Sequence, residues 1–212
     1  MSEEFLEEWD WESGSPTGRK VERRLSHRSG IPHEGVHLWI VSLIAGVPHV
    51  LLQRRAASKA LFPGYLDITV GGHVPFGLGS GKIQKEAEEE LGIVPDEESL
   101  VDLGYFRYEE RTPEFDLFHR EFQHVYLLRD DRPLSAYRFC DGEVDAVAAV
   151  PIVSFRGILS GDDSCQGYVY DGAGTAGRMI GREEFHPLFF SGPMDQYLEA
   201  VIAAAERLFD FE

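Results

Sequence analysis

The sequence predicts an α/β (α+β) domain over residues 19–212 behind an acidic arm at residues 1–18, and three observations carry that expectation. Strand-like apolar runs alternate with segments of helical periodicity, the pattern of a sheet covered by helices. Hydrophobic residues make up 43% and aromatics 12% of 212 residues, enough to bury a substantial core. Glycines stand where turns and helix stops are required.

Residues 1–18 place Glu3, Glu4, Glu7, Glu8, Asp10 and Glu12 around Phe5, Leu6, Trp9 and Trp11, then break at Gly14-Ser15-Pro16-Thr17-Gly18. The spacing of Phe5, Leu6 and Trp9 allows a short amphipathic helix docked on the body or on a second copy, as in a homodimer. A solvated arm fits the same residues. The apolar run at 36–44 predicts a buried strand, and 50–55, after Ala45-Gly46, its partner. Residues 66–70 form a third strand ending in Gly71-Gly72. Residues 82–91 predict a helix, with Ile83, Ala87 and Leu91 on its core face and Gly92 as its stop. Strands follow at 100–107, 121–128 and 144–150. A final helix runs from Met194 to about Phe209, with Leu198, Val201, Ile202, Ala205 and Leu208 at helical spacing. The segment 156–193 is glycine-rich and lacks strong periodicity. Within it, residues 172–177 have no clear helix behind them and predict a flexible loop rather than a phosphate cradle.

With 37 Asp+Glu against 20 Lys+Arg, the chain carries a formal charge of −17. Such a surface repels phosphate backbones, and no Lys/Arg cluster is large enough to form a basic face, which argues against duplex nucleic acid as a partner. No stretch approaches the ~20 apolar residues of a membrane span, and the N-terminus is acidic where a signal peptide is basic. Cys140 and Cys165 lack the spacing of a disulfide framework or a zinc site, and they read as packing residues compatible with a reducing cytoplasm. The chain has no G-x-S-x-G elbow, no P-loop and no Rossmann glycine set.

The chemistry concentrates in 71–93. At about 100° per residue, Glu86, Glu89 and Glu90 fall on one helix face, while Glu88 points about 200° away from Glu86. Two carboxylates ~4 Å apart repel by roughly 4 kcal/mol at an effective dielectric of ~20, and a divalent cation reverses that cost. Hard oxygen ligands suit Mg²⁺ or Mn²⁺. A solvated acidic face is the alternative, but the preceding glycine loop lets backbone approach a ligand closely. Glu109, Glu110, Glu114 and Asp116 predict a solvated acidic turn. Tyr105, Phe106 and Tyr108 fit base stacking and strand packing equally.

These residues resemble the Nudix hydrolases, whose box reads G-x5-E-x7-R-E-U-x-E-E-x-G-U with U apolar. Glu86, Ala87, Glu89, Glu90, Gly92 and Ile93 match its second half. In the first half Leu78 replaces the family's first glutamate, the loop is one residue shorter, and Lys85 replaces its arginine. Residues 51–64, Asp67 and Gly72-His73-Val74 resemble the branch related to type I isopentenyl diphosphate isomerase, over roughly 20–155. The resemblance implies an α/β/α sandwich with a mixed central sheet and a hydrolase of small-molecule diphosphates. Mg²⁺ or Mn²⁺ would be held by Glu86, Glu89, Glu90, Glu121 and the Gly71 carbonyl, Glu86 would orient or deprotonate water, and Arg55 and Lys59 would bind phosphate. The isomerase's catalytic cysteine falls on Gly71, so its thiol is missing. Its metal site maps onto His27, His33, His73, His119 and Glu121, a second candidate centre suited to Mn²⁺ or Zn²⁺. The altered box also leaves open a diphosphate-binding protein without turnover, and the histidine-rich site a prenyl-diphosphate enzyme lacking the isomerase cysteine.

Overall fold

A computed structural model describes residues 4–113 and 116–209, so Glu3 and Glu114 lie outside the described residues. The long strand β3 (His33–Ile44) organises the molecule. Along one edge it pairs antiparallel with β4 (Val47–Arg55) through residues 40–44 and with β6 (Val70–His73) through residues 35–38. It also pairs in parallel with β8 (Leu117–Arg129), from His33 opposite Glu121 to Val41 opposite Arg129. β5 (Leu66–Asp67) lies on β4, and β7 (Leu100–Thr112) forms an antiparallel hairpin with β8. Beyond β4 follow β9 (Val144–Pro151), β10 (Ser164–Tyr170) and β11 (Thr175–Gly181), and with β1 (Phe5–Asp10) and β2 (Ser15–Glu22) they complete a mixed sheet in the order β11-β10-β9-β4-β3-β1-β2 with β5 to β8 branching from it.

Strand alternation sorts the core into two layers. Val36, Leu38, Ile40, Leu51 and Val70 pack against Ile83, Ala87 and Leu91 of α2 (Lys82–Leu91), the expected helix. Trp39, Val41, Val50 and Leu52 pack on the other face against α3 (Ile152–Ser160) and α4 (Asp195–Arg207). Helices on both faces of a mixed sheet make the expected α/β/α sandwich. Gly92, at φ 67°, ends α2 as a left-handed cap, a conformation only glycine adopts without strain.

The N-terminal segment corrects the helical expectation. It is a hairpin, β1 (Phe5–Asp10) with β2 (Ser15–Glu22), followed by α1 (Arg23–Ser29). The pairing register shifts between Glu7 and Trp9, where β2 carries the extra residues, and Leu6 and Trp9, three apart on β1, are both buried. Burial along this irregular strand thus coincides with helical spacing. The segment 156–193, which showed no periodicity, holds the end of α3 and the β10–β11 hairpin. Residues 172–177 are the hairpin turn and the start of β11. There Asp171 Oδ1 accepts the N–H groups of Ala173 and Gly174, both at 3.0 Å, which leaves no anion cradle.

Candidate metal centre and cavity

Alternation decides which side chains meet. On β3, His33 and His37 share the face of Trp39, while Glu34 shares the face of Val36 and pairs with Lys82 Nζ at 2.6 Å at the start of α2. On β8, Glu121 shares the face of Val125 and Leu127. Because β3 and β8 run parallel with His33 opposite Glu121, both side chains reach the same place. His73 arrives from β6, His119 from β8 and His27 from α1.

The five residues form one cluster. Glu121 Oε1 lies 3.3 Å from His33 Nε2, 3.4 Å from His119 Nδ1 and 3.5 Å from His73 Nε2. His27 Nε2 and His73 Nε2 are 3.0 Å apart. One ligand atom from each of His27, His33, His73 and Glu121 falls within 4.8 Å of the others. His33 is fully buried, and its Nδ1 donates to the Ile31 carbonyl at 2.9 Å, which leaves an Nε2 lone pair that has no hydrogen-bond partner. A buried lone pair aimed at other lone pairs and a carboxylate is what a cation satisfies, and the Ile31 contact is the outer support usual behind metal-binding imidazoles. Burial pushes the Glu121 carboxyl up, but hydrogen bonding from the neighbouring imidazoles, His119 first, outweighs it and holds the group well below the usual carboxylate range. Burial pushes His27 down to about 2 and also lowers His73, so both are neutral at pH 7 and able to ligate.

The cluster opens on a cavity of about 710 Å³, within the range of small-molecule sites. Arg55 lines it, with Nη1 donating to Asp67 Oδ2 at 2.9 Å and Nη2 to the Leu61 carbonyl at 3.1 Å. Lys59 pairs with Glu143 and is not among the lining residues. The sequence reading missed the cations of α1: Arg23, Arg24 and Arg28 all line the cavity. Arg23 pairs with Glu4 and Arg28 with Asp116, whereas Arg24 has no ion pair among the described residues. Their clustering beside His27 was the available signal. Also missed were His37 and His186, which line the cavity with Asp67.

Glu86, Glu89 and Glu90 are not among the cavity's lining residues; they stand with α2 across β6. A Cβ on Gly72 would lie 2.1 Å from Glu86 Oε2, so the glycine makes room for that carboxylate against the strand. Glu90 is buried, and its Oε2 accepts from Gln53 Nε2 at 3.1 Å and from the Gly71 N–H at 3.3 Å. Burial raises its carboxyl well above the ordinary value. Burial also raises Glu86, against the opposing charge of Lys85. Lys85 Nζ bridges Glu86 at 3.1 Å and Glu89 at 2.6 Å. Leu78 packs partly buried against the core. At Gly71, an added Cβ would meet Ile68 Cδ1 at 2.7 Å and His37 Cδ2 at 3.5 Å.

Tyr105 stacks on His124 at 4.1 Å, and Tyr108 is buried beside the cavity. Cys140 is exposed and Cys165 buried, both as free thiols. Among the described residues, no helix is long and apolar enough to cross a membrane.

Comparison with known proteins agrees with this fold. Residues 34–164 match the NUDIX domain, and the chain belongs to that family. Nudix hydrolase 3 of Arabidopsis thaliana is 35% identical over 172 residues, 79% of this chain and 22% of that protein. Isopentenyl-diphosphate Delta-isomerase 1 of Photorhabdus laumondii is 39% identical over 85 residues, 40% of this chain and 47% of the isomerase. The matched residues thus span less than half the length of either relative. The crystal structure of DR0079 from Deinococcus radiodurans shares the fold, with a TM-score of 0.55 at 24% identity over 75% of this chain and 91% of that one.

Proposed function

We propose that the chain is a divalent-metal-dependent hydrolase that cleaves a diphosphate linkage in a nucleoside diphosphate derivative or related small molecule. The observation that carries this reading is the unpartnered Nε2 of buried His33, aimed into a cluster of imidazoles and one carboxylate that opens on the cavity. Membership of the NUDIX family supports the reaction class.

A bound Mg²⁺ or Mn²⁺ would neutralise the diphosphate and lower the pKa of an attacking water. His27, His33, His73 and Glu121 would hold an ion at the cavity floor, with His119 beside them. Glu86, Glu89 and Glu90, with the Gly71 carbonyl, would form a second centre across β6, where Lys85 balances their charge in the ion's absence. Glu86 is the candidate to orient or deprotonate water, since burial raises its basicity. Arg55 and Arg24, which both line the cavity, would meet the phosphates. Lys59 would join them on release from Glu143.

A second reading, a Nudix-fold protein that binds a diphosphate without turnover, is favoured by the Lys85 bridge across Glu86 and Glu89. Phosphate release from a broad panel of nucleoside and prenyl diphosphates, with Mg²⁺ and with Mn²⁺, decides between them. The hydrolase reading predicts metal-dependent release that falls in Glu89→Gln. Tight binding by calorimetry without product selects the second reading. Binding and release absent throughout, with metal content unchanged in His33→Ala, would sink both.

A further inference from the structure

We propose that His37 contacts the ligand of the cavity as a fixed Nε2–H donor to a phosphoryl oxygen, and that Tyr197 of α4 is the positioning residue that sets its tautomer and ring orientation. The inference rests on the reading of the cavity as a diphosphate site, and it adds a neutral donor to the arginines already described there.

Two hydrogen bonds running outward from the core settle the tautomer. Trp39 is fully buried, and its Nε1, which can only donate, gives its proton to the Tyr197 hydroxyl at 2.6 Å. Tyr197 is buried as well, so its own hydroxyl proton needs an acceptor, and among the described residues that acceptor is His37 Nδ1 at 2.9 Å. With Nδ1 accepting, the neutral ring carries its proton on Nε2. Packing fixes the orientation. The His37 and Tyr197 rings meet edge to face with centroids 5.8 Å apart, Phe106 packs edge-on against Tyr197 at 5.2 Å, and His37 Cδ2 lies 3.5 Å from where a Cβ on Gly71 would stand.

Nε2 is the open end of this chain. It has no hydrogen-bond partner among the described residues, and unlike His33 Nε2 it is not sealed from solvent, so it opens on the cavity that His37 lines. The backbone sets it beside the metal cluster. Strand alternation puts His33, Gly35 and His37 on one face of β3, and Gly35 leaves the floor between the two imidazoles without a side chain. A Cβ on Gly35 would lie 3.4 Å from Glu121 Oε2, so the carboxylate of the cluster already leans over that position. From Gly35 to His37 is two residues, roughly 7 Å of strand, comparable to the length of a diphosphate. β6 repeats the pattern, with His73 opposite Gly35 and Gly71 opposite His37. A diphosphate seated at the cluster thus meets a floor of two glycines between Glu121 and the His37 N–H. A neutral donor at the far end adds a hydrogen bond to phosphate without repelling a cation in the cluster. Tyr197 lies beyond residue 164, outside the NUDIX match, so the element that sets this donor comes from the C-terminal helix of this chain.

Long-range proton–nitrogen NMR of the full chain reads the tautomer, and titration with methylenediphosphonate and Mg²⁺ reads the contact with no phosphoanhydride bond to hydrolyse. His37 should show a protonated Nε2 and a bare Nδ1, and its Nε2–H resonance should shift as the diphosphonate binds. In calorimetry His37→Phe should weaken the diphosphonate on the order of 10-fold, while His37→Gln, whose amide keeps an N–H near Nε2, should recover part of the loss. Tyr197→Phe should leave His37 in a mixture of tautomers and weaken the ligand by less than His37→Phe does, an effect on the ring's proton that lost packing alone would not produce. A proton on Nδ1 in the parent, an unmixed tautomer in Tyr197→Phe, or an affinity unchanged in His37→Phe would overturn the inference. A diphosphonate that fails to bind the parent would overturn it together with the diphosphate reading of the cavity. Binding with the expected pattern but without hydrolysis of any diphosphate would instead defeat the hydrolase reading alone, because the diphosphonate reports only on the contact.

Discussion

On one side of β6, His73 joins the imidazoles around Glu121 and Gly71 faces Ile68 and His37; on the other, Gly72 faces Glu86 and the acidic helix. The two sides relieve crowded polar groups differently. The acidic side is internally compensated, since Lys85 bridges Glu86 and Glu89 while Glu90 takes hydrogen bonds from Gln53 and Gly71. The histidine side is not, because His33 Nε2 and His27 Nδ1 are buried without a partner. An uncompensated cluster is preorganised for a cation, whereas a compensated one must first displace its lysine. The difference predicts tight, selective metal on the histidine side and weak, exchangeable Mg²⁺ or Mn²⁺ beside α2.

The strongest way to break that contrast is His33→Ala. It removes a fully buried ligand and leaves the Ile31 carbonyl without its donor. Outer-sphere losses alone cost about 10–100-fold in metal affinity, so loss of a direct ligand should cost at least that. Elemental analysis of purified protein should show the tightly held ion gone from this variant and retained in Glu89→Gln. Retention in both would place the metal elsewhere.

Acid should separate the sides next. His27, His73, His37 and His186 have folded-state pKa values lowered by burial, so between their ordinary value and their lowered one the unfolded chain binds protons that the native chain does not. Stability from these groups is complete above about pH 6.5 and lost as pH falls below it, by about 1.4 kcal/mol per pH unit for each imidazole still excluded from protonation. For His27 the loss continues down to about 2. Urea denaturation in a chelator from pH 7.5 to 5 should show this slope, and a flat profile would mean that the imidazoles are solvated.

Gly72→Ala probes the acidic side with little disturbance of the other. The new methyl would stand 2.1 Å from Glu86 Oε2, a flexible side-chain end that can swing away. The fold should lose about 1–2 kcal/mol at most, while Mg²⁺-dependent phosphate release should fall with Glu86 displaced. Unchanged release would remove Glu86 from the water-activating role.

Much of the sheet was legible because buried strands and α2 carry strong local patterns, as in Ile83, Ala87 and Leu91. The hairpin at β1 was not, because its pairing is irregular and the two residues it buries, Leu6 and Trp9, stand at helical spacing. The histidine cluster could be listed from the family resemblance but not from spacing, since its members come from α1, β3, β6 and β8 and meet only through pairings such as His33 with Glu121. His186 was harder still: it reaches the cavity from a 3₁₀ turn near the end of the chain, and no local pattern in the sequence marks Tyr197 of α4 as the partner of His37, 160 residues away. The acidic half-box was the easiest feature to read, and it is the side that the structure separates from the cavity by a strand.

The smallest expected effect falls on that half-box, and its sign is informative. Glu90 is buried with its carboxyl raised well above the ordinary value, so holding it ionised near neutral pH costs the native state free energy. The amide of Glu90→Gln keeps an oxygen to accept from Gln53 Nε2 and the Gly71 N–H and carries no charge to bury. Without divalent ions the variant should therefore be as stable as the parent or slightly more so, within about 1 kcal/mol. In Mg²⁺ the order should reverse, because only the parent gains from binding a cation. Thermal denaturation of both proteins with and without Mg²⁺ measures this crossing. Equal stabilisation of parent and variant by Mg²⁺ would show that the ion does not use Glu90, and would leave the histidine side as the cation site of the cavity.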